Sequence, residues 1–320
     1  MTGPEAGDLR AVGPVERRAP HADHRIDEQV ELCRAVVSSE QGLRYLAHYN
    51  NGIFNFAVHD VQLGADDPHE LIGRHFSSEV NEIDRTLRGI RSGRLIRTVL
   101  QTTSGAIYCC SVRSNEYLVG YALEASAVDS ADAATVGLVA ELRRRLGEST
   151  NPGGWFVPKP TGEDSDEVPE PGGEDGPRGE NLDDTMAFEL VRSAVSFADL
   201  HYAALWRGGE PSAIADQFDH RRAARFFTQI DAEARRGRYR DLGARLPTVV
   251  GQLSRIVGEV LGIRTTRLTL DLEQGAIYYR RVRAGEFLVG VTLDQGRVAR
   301  AEHKVADLAT QLAGTRQPES

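Results

Sequence analysis

The chain has 320 residues, enough for two domains that each bury a core of their own. Its net charge of −9 argues against a general nucleic-acid binder, and no run approaches the roughly 18 apolar residues of a membrane-spanning helix. Lys159 and Lys304 are its only lysines, an arginine bias that points to a GC-rich, bacterial genome.

Residues 1–24 carry Pro, Gly and Arg without periodicity and are expected to be a disordered tail. They hold no apolar core of a secretory signal, so a cytoplasmic protein is the expectation. A first domain is expected over 25–150. It opens with a helical stripe, Ile26, Val30, Cys33 and Val37. Two strand-like runs, LRYLAHYN and IFNFAVHDV, meet at Asn51-Gly52, the strongest short hairpin signal because both residues tolerate positive φ. Ser77 or Ser78 is positioned to cap a helix with the stripe Val80, Ile83, Leu87 and Ile90. Three further runs, RLIRTVLQT, AIYCCSVR and EYLVGYAL, read as strands, and a helix begins near Ser130. Neighbouring Cys109 and Cys110 point to opposite faces of their strand, which favours buried thiols over a shared metal.

Residues 151–182 are dense in Pro, Gly, Asp and Glu and are expected to be an acidic linker. A second domain follows over 183–314, with 315–320 as a tail. Its first helix is capped by Asp183 or Asp184, and LHYAALWR and SAIADQF form its hairpin. A basic segment, 219–244, comes next. Then come a helix with Leu246, Val249, Leu253, Ile256 and Val260, the strands TRLTLDL, AIYYRRVR and EFLVGVTL, and a closing helix.

The order α-ββ-α-βββ-α therefore occurs twice. Gly105, Ala106, Ile107 and Tyr108 match Gly275, Ala276, Ile277 and Tyr278, and Leu118, Val119 and Gly120 match Leu288, Val289 and Gly290, 170 positions later. A fixed offset through two strands and their turn implies duplicated supersecondary structure. The last strand of each repeat is apolar on both faces and needs cover on both sides. Gly120 and Gly290 are expected where a helix approaches the sheet closely.

This order, with its E-[FY]-L-V-G strand leading into a terminal helix, resembles the roadblock dynein light-chain family. The likeness covers about residues 25–147 and 183–314, and segment 219–244 departs from it. The resemblance implies a mixed α/β fold of two tandem domains, each a five-stranded antiparallel sheet covered by helices on both faces. It also implies a non-enzymatic, dimeric platform that binds a Ras-like small GTPase or serves as a scaffold. Family members dimerise through their third strands and middle helices. Here that assigns Val80, Ile83, Leu87 and Ile90, with Val249, Leu253, Ile256 and Val260, to an interface between the repeats or between two chains.

No cofactor, metal or catalytic residue is expected. The chain has no G-x-x-x-x-G-K-[ST] phosphate loop, no G-x-S-x-G elbow and no H-E-x-x-H helix. Arg221, Arg222, Arg225, Arg235, Arg236 and Arg238 form the densest basic run. It reads either as a solvated helix face or as a docking surface for an acidic partner. A small-ligand sensor and a secretion-chaperone-like module are the alternative functional readings.

Overall fold

The computed structural model describes residues 13–39, 41–60, 68–149 and 176–315. The first half runs β1 (Val15–Arg18), α1 (Asp27–Ser38), β2 (Leu43–Asn50), β3 (Ile53–His59), α2 (His69–Leu87), β4 (Leu95–Thr102), β5 (Ala106–Arg113), β6 (Glu116–Ala122) and α3 (Val128–Arg145). The second half runs β7 (Arg178–Asn181), α4 (Thr185–Ala194), β8 (Tyr202–Arg207), β9 (Glu210–Asp216), α5 (Ala232–Leu261), β10 (Thr265–Leu272), β11 (Gly275–Arg283), β12 (Glu286–Thr292) and α6 (Val298–Gly314).

The protein is mixed α/β, built on one twelve-stranded antiparallel sheet in the order β1-β3-β2-β6-β5-β4-β10-β11-β12-β8-β9-β7. Two separate five-stranded sheets are not found, for two reasons. Short strands β1 and β7 add to the outer edges, beside β3 and β9. At the centre β4 pairs with β10, so the halves share a ladder from Leu95↔Leu272 through Val99↔Thr269 to Thr102↔Thr265.

Helices cover both faces. On one face α2 and α5 lie over a single apolar core. It runs from Tyr45, Tyr49 and Phe76 through Leu87, Leu100, Leu268 and Leu270 to Trp206 and Phe287. On the other face the core is divided. One part, with Val30, Cys33 and Leu142, packs under α1 and α3, and the other, with Val191, Val305 and Leu312, under α4 and α6.

Several local expectations are corrected. The tail over 1–24 contains β1, and the linker over 151–182 contains β7; the linker's residues 151–175 and the tail's 316–320 lie outside the described residues. The sequences VERR and RGEN carry no alternating apolar signal, because an edge strand with charged side chains is stable against wet solvent and resists further pairing. Helix α2 starts at His69, so Ser77 is a buried mid-helix residue whose hydroxyl donates to the Arg74 carbonyl. Asn51 and Gly52 do adopt the positive φ angles of the hairpin turn, 51° and 75°. A side chain at Gly290 would collide with Val305 of α6, but at Gly120 the crowding comes from Leu43 and Leu46 of neighbouring β2 rather than from a helix.

Candidate functional site

Helices α2 and α5 are the middle helices of the two halves, and they lie against one another on the shared core. Their sequences fix this placement. Helix α2 buries Ile72, Phe76, Val80, Ile83 and Leu87, a three-four spacing that puts one face on the sheet. In α5 the same spacing buries Leu242, Leu246, Val250, Leu253, Val257 and Leu261. Asp231 starts α5 by accepting from the Ala234 N–H at 2.7 Å, so the second part of the basic segment is the first part of this helix.

The expected interface residues divide into two groups. Val80, Ile83, Leu87, Ile90 and Leu253 are buried in the shared core. Val249, Ile256 and Val260 are only partly buried, at the margin of that core. Between the helices runs a groove of about 140 Å³. Its α2 wall is Glu79, Glu82, Ile83, Thr86 and Leu87; its α5 wall is Leu242, Leu246, Val249 and Gln252; Leu270 of β10 forms the floor. Sequence reading reaches Ile83, Leu87, Leu246 and Val249 but passes over Glu79 and Glu82 as groove residues. Each carboxylate lies one helical position from the buried stripe, but only the placement of α5 beside α2 makes it a groove wall. Glu82 is held by Arg85 of the same helix.

The basic run does not form one surface. Arg221, Arg222 and Arg238 are exposed. Arg225 pairs with Asp294 at 3.2 Å and lies 4.6 Å from the centre of the Phe226 ring. Arg235 and Arg236 are engaged within the protein. Arg235 is 2% exposed, lies over Phe227 at 5.1 Å and donates to the Arg91 carbonyl. Arg236 donates to Asp216 at 2.9 and 2.8 Å and to Asp219 at 2.7 Å. Glu233 accepts from it as well, at 3.2 Å, and a guanidinium bonded to three carboxylates has few donors left for a partner.

Several titratable groups away from the groove are buried. Burial pushes the Cys33 and Cys110 thiols up to about 12, so both stay protonated. His48 is buried, with Nε2 at 2.8 Å from Glu116 and Nδ1 at 3.0 Å from Asn55. Among the described residues no cluster of His, Cys, Asp and Glu suits a metal ion, and no helix is long and apolar enough to cross a membrane. No protein-family model matches the chain, and no curated protein matches it.

Proposed function

We propose that the chain is a non-enzymatic docking scaffold made of two roadblock-like repeats that serve as each other's dimer partner. Its α2–α5 layer binds a protein, for which a Ras-like small GTPase is the first candidate. The observation that carries this reading is the junction of β4 with β10 inside one chain, which sets α2 and α5 side by side above a common core. An open sheet edge invites a partner, and a duplicated chain supplies its own at high effective concentration. What then faces outward is a two-helix surface with an apolar groove and acidic residues on one wall.

Three strands between the middle and last helices of each half favour this reading over the secretion-chaperone alternative. The groove is smaller than the roughly 300–1,000 Å³ of ordinary small-molecule pockets, so it suits a protein side chain better than a small ligand.

The test is binding of the purified chain to small GTPases from its own genome. Each would be loaded with GDP or with a non-hydrolysable GTP analogue and followed by calorimetry. Nucleotide-dependent binding that Val249→Arg weakens at least tenfold, and that Arg238→Ala leaves intact, is the expected result. If none binds in either state, the GTPase assignment fails. If one binds with Val249→Arg unaffected, the assignment of the groove fails.

A further inference from the structure

The opposite face of the sheet, where β4 meets β10, buries a set of charges that the docking layer does not use. Arg97 of β4 faces Asp271 of β10 in register, and its Nε donates to Asp271 Oδ2 at 2.6 Å. Arg97 Nη1 also donates to Asp132 of α3. The second half repeats this pair 170 positions later. Arg267 of β10 lies 3.1 Å from Glu302 of α6, and Thr269 donates to the same carboxylate at 2.9 Å. Arg97, Asp132, Arg267, Asp271 and Glu302 are each at most 5% exposed.

Duplication accounts for two Arg–carboxylate pairs, but not for Asp271. The position 170 residues before it is Gln101, which carries no charge. Three buried carboxylates therefore share two buried guanidiniums. Arg280 of β11, half-buried opposite Arg267, is the next cation, and exposed Asp129 of α3 and Asp307 of α6 act on it from the rim. Tyr108 and Cys110 of β5 and Tyr278 of β11 also face the cluster, and burial keeps all three protonated. Asp271 Oδ1 and Glu302 Oε2 are buried without hydrogen-bond partners, as are Arg97 Nη2 and Arg267 Nε and Nη2, so the cluster's charges are incompletely paired. A bare buried carboxylate oxygen is costly, and a surplus buried charge more so. One proton on a carboxylate removes the surplus charge.

We propose that the joining of β4 to β10 takes up one proton on the Asp271 carboxylate, so that the seam between the halves tightens on mild acidification. Burial, reinforced by Glu302 and opposed by Arg97, holds the Asp271 carboxyl up at about 6 against an ordinary 3.8. Between those values the native state binds the extra proton and the unfolded state does not. The contribution is fully present below the lower value and is lost as the pH rises through the higher one.

The experiment is urea unfolding of the full chain from pH 4 to 8, beside Asp271→Asn, which keeps the shape but cannot titrate. The ratio of the wild-type to the variant unfolding constant should fall on acidification, by up to about tenfold per pH unit between about 6 and 4, and be flat above 7. Parallel curves would overturn the proposal. If Asp271→Asn does not fold, carbon-13 carboxyl NMR of the wild type decides instead, with Asp271 assigned through its backbone. Asp271 must titrate near 6; an Asp271 that titrates in the ordinary carboxylate range would overturn the proposal equally.

Discussion

His201 sits just before β8 with Phe197 and Phe226 edge-on to its ring, at centroid distances of 5.6 and 5.5 Å. Its Nδ1 accepts from the Leu293 N–H at 3.2 Å, which places the imidazole proton on Nε2. Burial holds its pKa down to about 4, with Asp294 and Asp199 opposing too weakly to restore the ordinary 6.5. The unfolded chain therefore binds a proton between 6.5 and about 4 that the native state refuses, and this group costs stability as the pH falls through that window. At 1.36 kcal/mol per unit the cost reaches about 3 kcal/mol. His201→Gln keeps an acceptor for Leu293 and should flatten the acid limb of stability against pH; an unchanged limb would place the sensitive group elsewhere. Asp271 acts with the opposite sign over an overlapping range, so only the two variants measured side by side separate them. Gly243 is a second residue whose role is steric. It lies where α5 crosses Trp206, and a methyl group there would collide with the indole. Gly243→Ala should cost about 1–3 kcal/mol. In a Trp155→Phe background the emission of Trp206 should shift, and silence in both measurements would show that α5 lifts off without strain.

Elements with strong internal periodicity were legible in the sequence, and those defined by their neighbours were not. The hairpin at Asn51-Gly52 was readable because the turn chemistry is local, and β5, β6, β11 and β12 because two copies of one text cross-check each other. Strands β1 and β7 were illegible because the strands they pair with, β3 and β9, lie far along the chain and their side chains are mostly charged. The start of α2 at His69 was missed because Pro68 at its cap gives no side-chain bond, whereas Ser77 mimicked a cap eight residues inside. The groove was half visible: its apolar members belong to the helix stripes, but its acidic wall depends on how α2 leans on α5. Arg235 and Arg236 looked like free charge because nothing local announces Phe227, Asp216 or Asp219 as their partners. Asp231 is the element-scale feature with the clearest consequence. It caps a 30-residue helix whose first turns carry these arginines. Asp231→Ala should cost about 1 kcal/mol of global stability. It should also raise amide exchange over the first turns of α5, leaving exchange beyond Pro247 unchanged. Faster exchange along the whole helix would mean that the two parts of α5 on either side of Pro247 open as one unit.

At the scale of the molecule, the asymmetry between the two sheet faces decides how the halves behave. The α3–α6 face has a core for each half and a charged seam between them, whereas the α2–α5 face has one core that neither half can complete alone. Leu95 and Leu100 of β4 and Leu268, Leu270 and Leu272 of β10 are all at most 5% exposed, and α2 and α5 close over them. Each such side chain is worth roughly 1.5–3 kcal/mol when buried. Several together exceed what a covalent connection between the halves adds by raising effective concentration. Cutting the chain should therefore leave the halves together. A protease recognition sequence inserted between Thr150 and Gly176 and cleaved in the native state should yield two fragments that co-elute as a one-to-one complex. The cut complex should unfold in a single transition whose midpoint rises with protein concentration, because its folded state is now an association. The uncut chain should show no such dependence. Leu270→Asp, which places a charge in the floor of the groove and in the shared core, should abolish co-elution of the cut fragments. Fragments that separate on cleavage at micromolar concentration, each still folded, would mean that the seam is a contact imposed by the connection and that each half completes its core without the other.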